Sequence, residues 1–302
     1  MTATLTNPAP SAVPRAPDGL WFGKDLSTPE PIPEEAIERA VALMRTGRLH
    51  RYGEQGSGYP ESSLLEQDYA AYVGSKHCVA VSSCGAAMFI ALKALGVKPG
   101  DKVLTSTLSL APVLGAIAHA GAEAVLVDTT SDYMTDMADL VYKMATSGAN
   151  VFLLSHMRGH IADLQAVKAI CDKHGIVIIE DCAHTMGANW NGKHTGTWGK
   201  MGCYSAQTYK HINSGEGGLP VTDDEDVAAQ AMLMSGRYMM YDQRILKPSA
   251  DVFERWKYVT PNFIMRMSNL AAAPLRPQIG QLADYGRRWN HIYATSIAGA
   301  SN

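Results

Sequence analysis

The sequence lacks the features of two common classes of binding protein. Its formal net charge is -3 and no run of like charges stands out, so it has no basic field of the kind that nucleic-acid binding requires. The longest apolar stretch, residues 111–127, is interrupted by His119 and Glu123, which leaves no segment suited to span a bilayer. We therefore expect neither nucleic acid nor a membrane as a partner.

Cysteine is scarce and does not occur in a CxxC pair. The sequence has five cysteines, an odd number, and no export signal precedes them, since the first 17 residues are rich in Pro, Ala and Thr without a hydrophobic segment. This pattern predicts a reduced, cytoplasmic setting and a flexible N-terminal tail at residues 1–17.

The chain is rich in alternating strand and helix patterns. With 302 residues, 46% of them hydrophobic, it can bury a large core. Predicted strands cover residues 78–81, 102–105, 124–127, 151–154, 177–179 and 201–204, and predicted helices cover 33–47, 62–73, 86–95, 112–119, 137–146 and 163–174. This alternation predicts an α/β fold with a mostly parallel sheet covered by helices on both faces.

Polar residues follow several of the predicted strands. Ligands in such sheets bind at the carboxyl ends of the strands. The polar segments at those ends are residues 82–85, 106–110, His156, 181–184 and 205–210. The first is a small-residue turn before a helix, which suits an anion such as phosphate, although small residues are also common at helix starts.

Lys210 has an unusual setting for a lysine. It lies between a predicted strand and a glycine cluster, among hydroxyl and amide side chains. A partly desolvated lysine has its charged form disfavoured, so the free amine can attack a carbonyl carbon. The alternative is an exposed loop lysine.

Asp181 and His184 follow a fully apolar strand. A buried Asp181 needs a cationic partner or a proton, although a helix-capping role is also consistent with its position. His184 can be a core histidine, a general acid or a ring-stacking group. A metal site is disfavoured, because His156, His160, Cys182 and His184 lack a known ligand spacing.

Four motifs resemble those of one enzyme family. They are SSCGAAMFIAL at 82–92, IEDCAHTMGA at 179–188, GKHTGTWGKMGCYSAQTYKHINSGEGG at 192–218 and NFIMRMSNLAAA at 262–273. From about residue 20 to about residue 290, the chain resembles the DegT/DnrJ/EryC1/StrS aminotransferases. The resemblance implies pyridoxal 5'-phosphate as cofactor and the three-layer αβα large domain of the fold type I enzymes.

The resemblance assigns three residues to the cofactor ring. Lys210 would form the Schiff base, and Asp181 would pair with the protonated pyridine nitrogen. His184 would lie against the ring or its 3-oxygen. These are the catalytic candidates.

Four further residues would bind phosphate. Ser205 and the backbone amides of Cys84 and Gly85 would hold the cofactor phosphate. Arg266 falls where family members place an Asn or Arg that reaches the phosphate of the neighbouring subunit. A homodimer with shared active sites is therefore expected.

Three departures from the family pattern are present. Cys84 and Gly85 replace a Gly-Thr or Ala-Thr pair, and Leu110 stands where an aromatic residue commonly covers the ring. Family members continue into a small C-terminal domain, so we expect that this chain is a fragment; the alternatives are that the missing part comes from elsewhere or that the site is more open. Its expected parts are a PLP-binding large domain at 18–290 and the start of a truncated region at 291–302.

The resemblance implies a two-stage transamination. An amino group would pass from glutamate or glutamine to the cofactor and then to a keto sugar, a cyclitol or a related ketone. The alternatives are elimination, decarboxylation or racemisation with the same cofactor, or a non-catalytic regulatory role. Sugar dehydratases of the family carry histidine in place of the lysine, so Lys210 argues against that branch. Residues 51–60 and 238–258 are the segments where acceptor choice would be decided. Leu110 and the Met-rich residues 232–240 suggest an unusual pocket, although such a Met stripe more often serves packing.

Overall fold

The computed structural model describes residues 28–52, 58–236 and 241–300, with the backbone alone at 242 and 297–300. The predicted tail at 1–17 lies outside these residues, as do 53–57 and 237–240 of the predicted specificity segments. Every helix and strand of the described part lies within residues 32–302, which form one compact unit. The domain boundaries at 18 and 290 stay a prediction.

The helices begin and end at recognisable capping residues. Asp136, Asp163 and Asp224 each accept backbone N–H groups at a helix start, where an acceptor satisfies amides without a partner in the helix. The bounds are α1 Glu34–Thr46, α2 Glu61–Val73, α3 Cys84–Ala94, α4 Ala111–His119, α5 Met137–Ser147, α6 Leu164–His174, α7 Glu225–Met234, α8 Ala250–Trp256, α9 Asn269–Ala272, α10 Leu275–Ile279 and α11 Leu282–Ala300. None of the helices in the described residues is long and apolar enough to cross a bilayer.

Seven strands form one sheet in the order β1-β9-β8-β5-β4-β2-β3. The strands are β1 His77–Cys78, β2 Lys102–Ser106, β3 Glu123–Val127, β4 Val151–Ser155, β5 Val177–Asp181, β6 Asn189–Trp190, β7 Lys193–His194, β8 Met201–Ser205 and β9 Gly218–Thr222. Strand β9 is antiparallel to both β1 and β8, and the other pairs of this sheet are parallel. Strands β6 and β7 form a separate antiparallel pair. The mostly parallel sheet confirms the prediction.

The sheet is packed by helices on both faces. On one face, Val103 and Leu153 belong to a buried cluster with residues of α3, α4, α7 and α8. On the other face, Leu104 and Phe152 pack with residues of α5 and α6. Because successive side chains of a strand point to opposite faces, the fully apolar strands supply both clusters. The three-layer αβα prediction is thereby confirmed.

Candidate functional site

Three neighbouring strands bring polar residues together at one edge of the sheet. Ser155 at the end of β4 pairs with Asp181 at the end of β5, and Asp181 pairs in turn with Cys203 on β8. These are carboxyl ends of parallel strands, where ligands of α/β sheets bind. The register therefore places Asp181 in the centre of this row.

Asp181 is buried, as its apolar strand predicted, with 5% of its surface exposed. Its Oδ2 accepts a hydrogen bond from Ser155 Oγ at 2.8 Å, and its Oδ1 accepts one from the Ala183 backbone N–H at 3.1 Å. The Cys84 Sγ lies 4.0 Å from Oδ1. The carboxylate is thus held from two sides, and a buried carboxylate of this kind favours a cationic partner.

Lys210 lies in the loop between β8 and β9, two strands that pair antiparallel. The loop is closed by backbone hydrogen bonds from Ala206 to Gly217 and from Ser214 to Ala206. The Lys210 side chain is half-buried. Burial lowers its pKa from the ordinary value of 10.5, while Asp181 acts in the opposite direction. Desolvation of the ammonium form therefore makes the free amine more available than that of a surface lysine.

His184 is half-buried beside the same lysine. Its Nδ1 accepts the backbone N–H of Arg158 at 3.3 Å. Burial lowers the pKa of His184 from 6.5, and the charge of Lys210 lowers it by a smaller amount. The ring is therefore neutral at pH 7. With Nδ1 as acceptor, the single ring proton is assigned to Nε2, and His184 can act there as a hydrogen-bond donor.

The small-residue turn forms the start of α3, two residues before the predicted start at Ala86. The Ser83 side chain accepts the Ala86 N–H at 3.0 Å. Cys84 and Gly85 occupy the first two helical positions, whose amides have no acceptor within the helix. These amides, at the positive end of the helix dipole, are suited to bind an anion.

Gly218, the first residue of β9, lies between this turn and the end of β8. A Cβ on Gly218 would lie 2.2 Å from the Ser83 carbonyl oxygen, so only glycine allows the two backbones to approach this closely. Gly218 also pairs with Ser205, which is 5% exposed and accepts the Gln207 N–H at 3.3 Å. Ser205 and the α3 turn therefore lie on either side of one close backbone contact.

Arg266 lies next to the same turn. Its backbone forms a bridge with Val81. Its guanidinium donates from Nε to His50 Nε2 at 3.2 Å and from a terminal nitrogen to the Gly236 carbonyl at 3.1 Å, and it packs over the Tyr52 ring. Contact with the phosphate of a neighbouring subunit stays a prediction.

Glu180 is a site neighbour whose role the sequence did not distinguish. It precedes Asp181 on β5 and is fully buried. In the described residues its ligand atoms form a possible metal cluster with those of His156 and Cys182. However, both Glu180 oxygens already accept backbone N–H groups, so hydrogen bonds stabilise the buried carboxylate without a cation. This cluster does not include His160 or His184, the other two histidines of the metal site that the sequence disfavours.

Comparison with known proteins identifies the family. The model of the DegT/DnrJ/EryC1/StrS aminotransferase family matches residues 32–299. The chain belongs to this family. It is 30% identical, over 86% of its length, to the spore coat polysaccharide biosynthesis protein SpsC of Bacillus subtilis (strain 168). The chain spans 65% of the length of that relative.

Solved structures show the same fold. The aminotransferase TlmJ from Streptoalloteichus hindustanus matches with a TM-score of 0.76 at 24% identity, over 90% of this chain and 70% of that one. The E. coli GDP-4-keto-6-deoxy-D-mannose-3-dehydratase with bound hydrated PLP matches with a TM-score of 0.71 at 23% identity, over 83% of this chain and 66% of that one. At these identities, the likeness is one of fold.

The residues of this DegT/DnrJ/EryC1/StrS family member fit the cofactor that the family implies. A phosphate needs backbone donors, which the α3 turn offers beside the close contact at Gly218. A protonated ring nitrogen needs a buried anion, which Asp181 supplies. An aldehyde needs an amine with a lowered pKa, which Lys210 supplies. Leu110, 39% exposed at the start of α4, is apolar but lacks the aromatic face common in the family.

Proposed function

We propose that the protein is a pyridoxal-phosphate-dependent aminotransferase. The amino donor is glutamate or glutamine, and the acceptor is a keto sugar, a cyclitol or a related ketone. The observation that carries this proposal is the half-buried Lys210, whose lowered pKa makes its amine available beside the buried Asp181. The proposal includes a cytoplasmic homodimer with shared active sites, to which Arg266 would contribute.

Each candidate residue has a distinct role toward the cofactor. Lys210 would bind the aldehyde, Asp181 would bind the ring nitrogen, and Ser205 with the amides of Cys84 and Gly85 would bind the phosphate. When bound, pyridoxal phosphate supplies an electron-withdrawing ring that stabilises negative charge at the substrate carbon. His184, neutral and protonated at Nε2, would donate a hydrogen bond at the ring or its 3-oxygen.

Lys210 also supplies the proton-transfer group. With its amine free and a substrate bound, Lys210 would take a proton from one substrate atom and return it to another. Because burial lowers the pKa of Lys210, a larger fraction of the amine is unprotonated near neutral pH. Burial thus favours the unprotonated amine of Lys210, which is the active form both as nucleophile and as base.

The relatives support amination of a sugar-like acceptor. SpsC is a polysaccharide biosynthesis protein and TlmJ an aminotransferase. The dehydratase relative favours the alternative of a different reaction with the same cofactor. Lys210 argues against dehydration, because the resemblance implies that the sugar dehydratases of the family carry histidine in place of this lysine.

The test is covalent trapping of the cofactor on the chain. Purified protein is incubated with pyridoxal phosphate, reduced with borohydride and digested, and the modified lysine is located by mass spectrometry. We expect labelling at Lys210 in the wild type and in the control Lys173→Ala, an exposed lysine of α6, and none at that site in Lys210→Ala. Labelling should rise with pH with a midpoint below 10.5, because burial lowers the pKa of Lys210.

Incubation with glutamate distinguishes transamination from a different reaction with the same cofactor. An aminotransferase converts its bound cofactor to the pyridoxamine form with glutamate or glutamine alone, which the absorbance spectrum reports. Absence of labelling at Lys210 would overturn cofactor use by this site. Labelling without conversion by either donor would instead favour the alternative reaction.

A further inference from the structure

We propose that Ser155 is a positioning residue of this site, which orients the Asp181 carboxylate through a buried hydrogen bond. The inference rests on the proposed function, since it concerns how Asp181 meets the cofactor ring. Ser155 Oγ lies 2.8 Å from Asp181 Oδ2. No sequence motif indicated this pair, because the two residues are 26 positions apart.

The sheet register fixes the pair. Strands β4 and β5 are parallel, and Ser155 and Asp181 are direct partners in the ladder. The two side chains therefore point to the same face of the sheet. The backbone N–H of His156 also donates to the Asp181 carbonyl at 3.1 Å, which extends the pairing by one residue. The hydroxyl is thus held by two strands and not by a mobile loop.

Burial makes this hydrogen bond difficult for water to replace. Ser155 is 7% exposed and Asp181 is 5% exposed. A hydroxyl donor to a carboxylate forms a charge-assisted bond, which is stronger than a neutral one, and a hydrogen bond to the charged form favours that form. Loss of the Ser155 hydroxyl would leave Oδ2 without its donor.

The two oxygens of Asp181 accept different hydrogen bonds. Oδ1 accepts the Ala183 N–H and lies near the Cys84 thiol. In the described part of the chain, Oδ2 accepts from Ser155 only. A carboxylate oxygen can accept two hydrogen bonds, so Oδ2 keeps a lone pair for a cationic donor while Ser155 fixes the orientation of the group.

A cavity next to Ser155 contains a second serine that serves as a matched control. Ser155 lines a small polar cavity together with Ser106, Thr129, Tyr133, Thr135 and His160. Ser106 ends the neighbouring strand β2, is 3% exposed, and its Oγ has no hydrogen-bond partner among the described residues. Ser106→Ala therefore removes a buried hydroxyl from the same cavity without removing a contact to Asp181.

The test uses four variants of the cofactor-loaded protein: Ser155→Ala, Ser155→Val, Ser155→Thr and Ser106→Ala. Threonine keeps the hydroxyl, whereas valine has nearly the same shape without it, so this pair separates hydrogen bonding from packing. The measurements are the dissociation constant for pyridoxal phosphate and the pH titration of the absorbance spectrum of the bound cofactor. Urea midpoints report whether each variant folds.

The titratable groups that face Asp181 also contribute to the pH titration. They are Lys210 from the β8–β9 loop, His184 from the loop after β5, Cys182 directly after β5, Cys84 from α3 and Cys203 from β8. Since none of the variants alters these groups, a shift specific to the loss of the Ser155 hydroxyl reports on the Asp181 contact.

We expect Ser155→Ala and Ser155→Val to raise the dissociation constant about tenfold and to change the pH titration of the absorbance spectrum of the bound cofactor. Ser155→Thr and Ser106→Ala should stay within about twofold of the wild type in affinity. Equal titrations in the valine and threonine variants would overturn the positioning role. So would a loss of cofactor affinity in Ser106→Ala as large as that in Ser155→Ala. Either result would leave the proposed function intact. A wild type that binds no cofactor would overturn both.

Discussion

Glu180 is a fully buried carboxylate that binds the chain segment preceding β8. Its Oε1 accepts the backbone N–H groups of Trp198 and Gly199, both at 2.7 Å. Its Oε2 accepts the N–H of Gly196 at 2.7 Å and lies 3.1 Å from His156 Nε2. This one side chain therefore anchors the segment that leads into the strand carrying Ser205.

We expect Glu180→Gln to destabilise the protein strongly. The amide nitrogen that replaces one oxygen would face at least one backbone N–H that is itself a donor, so at least one hydrogen bond is lost with its donor left buried, and the remaining backbone donors bind a neutral amide oxygen. Hydrogen bonds to a charged group contribute about 1.5–3 kcal/mol and neutral ones about 0.5–1.5 kcal/mol, so one lost bond and two weakened ones give a decrease in unfolding free energy of about 3–6 kcal/mol. This range agrees with the cost of removing one partner of a buried charged pair, about 3–5 kcal/mol.

The assay is urea unfolding followed by far-UV circular dichroism and tryptophan fluorescence. The control is Glu254→Gln, which alters an exposed carboxylate with only a surface ion pair to Lys257 and should change stability by less than about 1 kcal/mol. The reasoning about Glu180 fails if both variants lose the same small amount at an unchanged denaturant slope.

Two further substitutions test backbone features next to the site. Ile264 has a φ of 56°, a left-handed conformation that is strained for a β-branched residue, so Ile264→Asn should raise the unfolding free energy by about 1 kcal/mol; an unchanged urea midpoint would contradict the strain. Gly218→Ala places a Cβ 2.2 Å from the Ser83 carbonyl and should weaken pyridoxal phosphate binding at least about tenfold. Its control, Gly115→Ala, adds a Cβ in open space on α4 and should leave binding unchanged, and equal affinity in both variants would refute the role of the close approach.

Much of the fold could be predicted because its strands are short apolar runs between helices with clear end signals. The predicted strand at 102–105 and helix at 163–174 differ from β2 Lys102–Ser106 and α6 Leu164–His174 by one residue at one end. Strand β9 could not be predicted in this way. Its sequence, GLPVT, contains a glycine and a proline, and it forms a strand because β8 and β1 pair with it on both sides.

The positions of Asp181 and Lys210 at strand ends could be inferred from sequence order, but their contacts could not. Which strands are neighbours is decided by the packing of the whole sheet, so the pairing of Ser155 with Asp181 had no local signal. The same holds for the contact between Gly218 and Ser83, which depends on β9 lying beside the turn before α3.

The acidic pair that ends β5 shows how one local pattern gives two unrelated roles. Neighbouring residues of a strand point to opposite faces, so the side chains of Glu180 and Asp181 enter different surroundings. Three backbone N–H groups and His156 Nε2 surround both oxygens of Glu180 and make it an anchor. Asp181 accepts from a serine hydroxyl and one backbone N–H, and its charge acts on the half-buried Lys210. Only the second carboxylate keeps an oxygen open toward a ligand, and this difference arises from the sheet geometry because the two residue types are chemically alike.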